Sequence, residues 1–322
     1  MRGARCAVRS ACGVHGARAL RTAHCALRTD TVIDLGSGTP IVLIPGIQGR
    51  WEWMEPAVEA LAATHRVISF SLCGDAGSGC RIDEEAGFDN YVRQVDGALD
   101  AAGLRKAAIC GVSYGGLIAV HYAAKRPERV SALVLVSAPG PRWRPRRRLL
   151  KYLKAPRLLA PLFIVRSPLA MRGEVAAAFP GRRDRWAFRR RHLRHVLRAP
   201  LSPSRMAQRI KFAMDRDFMD DCRRITAPTF VVTGDTELDQ IVPVESTRDY
   251  LAAIAGARGA VFKGTGHLGL VTRPGAFAKL IGDFVDSVTS EGPRVRESES
   301  QMPDRQTGAR PRAESREPRA DR

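Results

Sequence analysis

Ala107-Ala108-Ile109-Cys110-Gly111-Val112-Ser113-Tyr114-Gly115-Gly116-Leu117-Ile118-Ala119-Val120 is the stretch that decides the fold. Its first four residues read as a short buried strand, and the run from Leu117 to Ala124 reads as a helix ending near Pro127. Ser113 falls on the turn between them, with glycine two positions before and two after it. So sharp a strand-to-helix turn strains the serine backbone and needs glycines where neighbouring chain passes close. It also lifts the hydroxyl clear of a sheet and points the free N–H groups of a helix start at whatever the hydroxyl attacks. The competing reading is a glycine-rich turn that merely packs a helix on a strand, so partners elsewhere in the chain must decide.

Outward from this turn, strands and helices alternate in the manner of a parallel sheet. Pro40–Ile44 reads as a strand and 51–63 as a helix; Arg66–Leu72 is a strand and 88–104 an amphipathic helix; Arg129–Val136 is a fourth strand. The rhythm then breaks. Residues 142–224 read as basic and helical, with apolar stripes at Leu149, Leu150, Tyr152 and Leu153 and again at Phe188, Leu193, Val196 and Leu197. Alternation resumes with a strand at Pro228–Thr233, a helix at 245–255, a short strand at Ala260–Phe262 and a closing helix from about Pro274 to Val288.

In such sheets functional groups gather at the carboxyl ends of the strands. The strand ending at Thr233 empties into Gly234-Asp235-Thr236-Glu237-Leu238-Asp239, and the one ending at Phe262 into Lys263-Gly264-Thr265-Gly266-His267. An acid and a histidine therefore follow Ser113, each past a different strand. Asp239 is the favoured acid, with Asp235 the rival, read as a turn cap. His267 has a structural alternative as a satisfied core histidine. His121 is expected to pack or face solvent, and His65 to lie at the surface. Trp51 and Trp53 fit either a pocket wall or the core.

These residues carry a resemblance to the α/β-hydrolase family over roughly residues 30–290. They are Pro45-Gly46-Ile47-Gln48-Gly49 after the first visible strand, Gly111–Gly116, Asp239 four residues before Pro243, and His267 in Gly-Thr-Gly-His. The resemblance implies a mostly parallel sheet with helices on both faces and a helical cap. It implies Ser113 as nucleophile, His267 as base, Asp239 as its orienting acid, and the N–H groups of Ile47 and Tyr114 as oxyanion donors. Two positions depart from the family pattern. Many relatives have His-Gly at Pro45-Gly46, and the second strand here ends in Ser71-Leu72-Cys73-Gly74-Asp75 instead of Asp-x-Arg-Gly-His-Gly. A serine nucleophile excludes the aspartate-dependent dehalogenases and epoxide hydrolases.

The 322 residues carry a formal net charge of +19, unevenly spread. Residues 1–29 hold six arginines and no acid, and residues 139–225 hold 24 Lys and Arg against 6 Asp and Glu. Such a patch suits anionic surfaces, including weak contact with an anionic membrane, or reflects nothing beyond an arginine-biased composition. No zinc spacing, RNA-recognition signature or helix-turn-helix accompanies it, so no nucleic-acid partner, metal or cofactor is expected. The expected domains are an Arg-rich leader (1–29), disordered, targeting or a mis-called start; a core of 30–138 with 226–290; a basic helical cap at 139–225; and a disordered charged tail at 291–322. Seven cysteines do not suggest a disulfide framework. Cys73 and Cys80 are expected as free thiols in a cytoplasmic protein, with pairing the alternative.

The sequence reading is thus a serine hydrolase acting on a small acyl substrate, such as an ester. Acyl transfer, C–C hydrolysis and cofactor-free haloperoxidase-like chemistry share the same triad, and a non-catalytic ligand-binding protein shares the same scaffold. Oligomeric state is left open.

Overall fold

The computed structural model describes residues 31–290 except Arg146 and Asp215. The leader and tail readings, and Asp30, lie outside the described residues. A seven-stranded sheet runs in the order β1-β3-β2-β4-β5-β6-β7. Its strands are β1 (Val32–Leu35), β2 (Pro40–Ile44), β3 (Arg66–Phe70), β4 (Ala107–Val112), β5 (Val130–Val136), β6 (Thr229–Thr233) and β7 (Arg258–Val261). Only the β1–β3 pairing is antiparallel; the other five are parallel.

Side-chain alternation builds a core on each face of the sheet. Val42, Ile44, Ile109, Leu133 and Leu135 point to one face, and Ile41, Leu43, Ala108, Cys110 and Val134 to the other. Burial on both faces requires the near-continuous apolar strands seen here. The first face is covered by α2 (Asp89–Ala101) and α3 (Tyr114–Lys125), the second by α1 (Glu55–Ala62) and α12 (Pro274–Thr289). A turn of 3-10 helix, Trp51–Met54, precedes α1. From Tyr114 to Ala123 every residue of α3 is buried, so this stretch carries no charged, solvent-facing stripe.

Between β5 and β6 the chain makes α4 (Arg147–Lys154), α5 (Pro156–Ala170), α6 (Arg172–Ala178), α7 (Arg182–Arg198), α8 (Pro203–Met214) and α9 (Phe218–Arg224). No strand occurs in this insert among the described residues. After β6 come α10 (Val244–Ala253), then β7 and the short α11 (Gly269–Thr272).

Several local expectations are corrected. Edge strand β1 precedes the first strand read from sequence, and β7 starts at Arg258 rather than Ala260. His65 is buried at 3% exposure, its ring between Thr64 Oγ1 at 2.8 Å and Asp286 Oδ1 at 3.2 Å. His121 is fully buried, with Nδ1 2.8 Å from Asp221 and Nε2 2.7 Å from Asp89, so it links α3 to α9 and α2 rather than facing solvent. Cys73 and Cys80 form a disulfide with Cα atoms 4.8 Å apart, in place of the two free thiols expected. The loop folds back so that the Gly74 N–H donates to the Cys80 carbonyl at 2.9 Å, which brings the two sulfurs together.

Candidate active site

The strand order reverses between β2 and β4: the chain steps out to β3, then crosses back over β2. Loops leaving the carboxyl ends of neighbouring strands diverge there and open a crevice. The loop after β2 carries Gly46 and Ile47; the turn after β4 carries Ser113.

Ser113 has φ 53° and ψ −122°, left-handed backbone that a side chain adopts only at a cost of about 1–3 kcal/mol. Packing enforces it. The Ser113 N–H donates to Val136 O at 2.8 Å, and the Gly116 N–H to Ser113 O at 2.8 Å. A Cβ on Gly115 would strike the Ile44 carbonyl and lie 2.7 Å from that of Pro45. The helix therefore sits so close to β2 that only glycine fits. Tyr114 is the first residue of α3, so its N–H has no acceptor within the helix. A Cβ on Gly46 would lie 3.4 Å from Ser113 Cβ, which brings the Gly46-Ile47 loop against the serine.

Asp239 and His267 come from the loops after β6 and β7. Those loops are stitched together: the Asp235 N–H donates to Thr265 O at 2.8 Å, and the Gly264 N–H to Asp235 Oδ2 at 2.7 Å. Asp235 is thereby spent on the loop backbone. Asp239 instead faces the imidazole, with Oδ2 3.3 Å from His267 Nδ1. Its Oδ1 accepts the N–H groups of Ile241 and Val242, both at 3.0 Å. Burial pushes the Asp239 carboxyl up, but the bond and charge of His267 together with the two N–H groups outweigh it and hold it below the usual range. A proton on Nδ1 facing this carboxylate leaves Nε2 free to accept.

Two buried charges of the insert reach these loops, and sequence reasoning missed both. Arg209 of α8 is fully buried; it pairs with Asp75 and donates from Nη1 to the Ile47 carbonyl at 2.8 Å. Tyr114 Oη in turn donates to Arg209 O at 2.8 Å. Glu174 of α6, 1% exposed, accepts the Leu268 N–H on both carboxylate oxygens at 2.9 Å. Neither was legible in a segment where arginines crowd and the partners are distant backbone groups. Trp53 is tied to the insert as well, its indole N–H donating to Ala199 O at 2.8 Å.

A cavity of about 500 Å³ opens beside the loop after β3, lined by Asp75, Ser78, Cys80, Ile82 and Arg205 among others. Ser113 does not line it; it adjoins the Ile47 loop through Asp75, whose carboxylate fills the space a Cβ on Gly49 would take. No group of His, Cys, Asp and Glu among the described residues is arranged to hold a metal ion. No helix among them is long and apolar enough to cross a membrane.

Residues 39–274 match the model of the alpha/beta hydrolase fold family. The 2-hydroxymuconate semialdehyde hydrolase of Pseudomonas sp. is 28% identical over 278 residues, which cover 78% of this chain and 88% of that protein. The RutD protein of Azorhizobium caulinodans, assigned as a carbamate hydrolase, is 38% identical over 102 residues, 32% of this chain and 38% of that protein. Among solved structures, an esterase from Exiguobacterium antarcticum superposes with a TM-score of 0.64 at 23% identity, covering 79% of this chain and 94% of the other.

Proposed function

The chain belongs to the alpha/beta hydrolase fold family, and from that premise we propose that it is a serine hydrolase cleaving an ester or related acyl bond. The observation that carries this reading is the strained Ser113 turn on the carboxyl edge of the sheet that also bears the Asp239–His267 pair.

Ser113 Oγ attacks the acyl carbon while His267 Nε2 takes the hydroxyl proton. The carbonyl electrons move to oxygen, where the N–H groups of Ile47 and Tyr114 receive the charge; one such donor is worth about 10²–10³ in rate. Collapse expels the leaving alkoxide, which takes the proton from His267. Water then attacks the acyl-enzyme by the same route, releasing the acid and restoring Ser113. Asp239 keeps the imidazole in the required tautomer and stabilises its charged form. The six-helix insert serves as the cap that shapes the substrate pocket and excludes water.

A second reading, action on a hydroxymuconate-type semialdehyde, is favoured by the match that covers 88% of the Pseudomonas hydrolase. Turnover of p-nitrophenyl esters, lactones, carbamates and such a semialdehyde by wild type and Ser113→Ala tests both. Ester or lactone turnover lost in Ser113→Ala supports the first reading. Turnover that survives the substitution refutes it, and turnover of the semialdehyde alone moves the assignment to the second.

A further inference from the structure

Glu174 is a buried carboxylate whose bonds go not to its own helix but to the loop that carries His267. Both its oxygens take the Leu268 N–H at 2.9 Å. One side chain of the insert thus holds the residue that directly follows the histidine. The charges that face it are those of His267 and Asp239. Burial pushes the Glu174 carboxyl above its usual range, against the opposing pull of the Leu268 and Gly266 backbone N–H dipoles and of His267. A carboxylate is costly to desolvate unless its acceptor capacity is used. Here both oxygens are used on the backbone N–H of Leu268. The neighbouring Val175 is buried in the same apolar core as Leu270 and Val271 of α11.

We propose that Glu174 is a positioning residue through which the helical insert holds His267 in place for the base role. Seating of the insert and placement of the base are then one event, and an enzyme with its insert displaced has a misplaced histidine. The inference rests on the serine-hydrolase reading. A misplacement on the order of 1 Å costs about 10²-fold in rate. A latch that merely stabilised the insert would change melting and KM but leave the reactivity of Ser113 intact. Glutamine keeps the shape and one carbonyl acceptor for the Leu268 N–H while removing the charge, so it separates clamp from charge.

The test uses the full chain as wild type, Ser113→Ala, Glu174→Gln and Glu174→Ala. The readouts are kinetics on p-nitrophenyl acetate, the rate of labelling by a fluorophosphonate, and hydrogen exchange at the Leu268 amide. Glu174→Ala is expected to lose about 10- to 100-fold in kcat and in labelling rate, with KM changed by less than about threefold, and to lose protection at Leu268. Glu174→Gln is expected to stay within about tenfold of wild type and keep the Leu268 amide protected. Labelling of Glu174→Ala at the wild-type rate overturns the inference alone. If Glu174→Ala does not fold, a Glu174→Gln chain that keeps Leu268 protected yet labels more than 10-fold slower overturns it, and one that labels within about tenfold supports it. A wild-type chain that does not label refutes the hydrolase reading and this inference with it.

Discussion

Replacing Arg209 with methionine keeps most of the side-chain volume but removes the cation from a site where Asp75 remains 4% exposed. Breaking a buried pair by deleting one partner costs about 3–5 kcal/mol, because the surviving charge is left uncompensated. The Ile47 carbonyl also loses its donor, worth about 1 kcal/mol. New apolar contacts of the methionine offset part of this, so the expected loss is about 3–5 kcal/mol. In a chain of this size that lowers Tm by roughly 6–20 °C. The pH dependence has a definite sign. Burial pushes the Asp75 carboxyl above its usual range even with Arg209 and the more distant Arg50 and Arg205 pulling it down. A carboxyl raised in the folded state contributes stability that is full below its unfolded value and lost as pH rises through the folded one. Removing Arg209 takes away the largest counterweight and raises it further. The deficit of Arg209→Met is therefore greatest near pH 7 and smaller at an assay pH of 4.5, since acidification favours the protonated form of the raised Asp75 carboxyl. Asp75→Asn combined with Arg209→Met recovers most of the loss at pH 7. Urea denaturation of the two variants and wild type at both pH values measures this. A deficit under about 1 kcal/mol at pH 7, or one that does not shrink on acidification, refutes the reasoning.

Two further outcomes are expected. Asp239→Asn lowers kcat by up to about 10⁴, measured on the best ester of the panel. Because the Asp239 carboxyl is lowered in the fold, its contribution to stability is present above its unfolded value and lost as pH falls through the folded one. A Tm-against-pH series should therefore fall less steeply below about pH 4 in the variant than in wild type. Cys73→Ser opens a disulfide that closes a sequence separation of 7. The loss is about 2–3 kcal/mol under oxidising conditions and near zero after reduction of both proteins; peptide mapping without reductant should yield a Cys73–Cys80 linked fragment.

The sheet was largely legible because five of its strands, β2 to β6, are buried apolar runs punctuated by turns. β1 escaped because an antiparallel edge strand with two exposed residues, Asp34 and Leu35, carries no such signal. β7 was displaced by two residues because Arg258 and Gly259 are exposed and owe their place to pairing with Phe230 and Val231. Ser113 was visible as a turn whose residues dictate their own geometry. Asp239 was already favoured over Asp235 in the sequence; the bond of Asp235 to the Gly264 N–H is a contact that no pattern announces. Glu174 and Arg209 lay beyond reach of pattern. The backbone groups they bond lie 94 and 162 residues away, and one acid or one arginine in a segment this basic has no spacing to announce it. His65 was misplaced for the same reason: Asp286, which receives it, lies 221 residues further along the chain.

The most direct test of the hydrolase reading is the mass of the chain after treatment with a fluorophosphonate, followed by peptide mapping of the adduct. One adduct per chain, located on Ser113 and lost when His267 is replaced by alanine, is the predicted result. An unmodified wild-type chain, or an adduct on any residue other than Ser113, contradicts it.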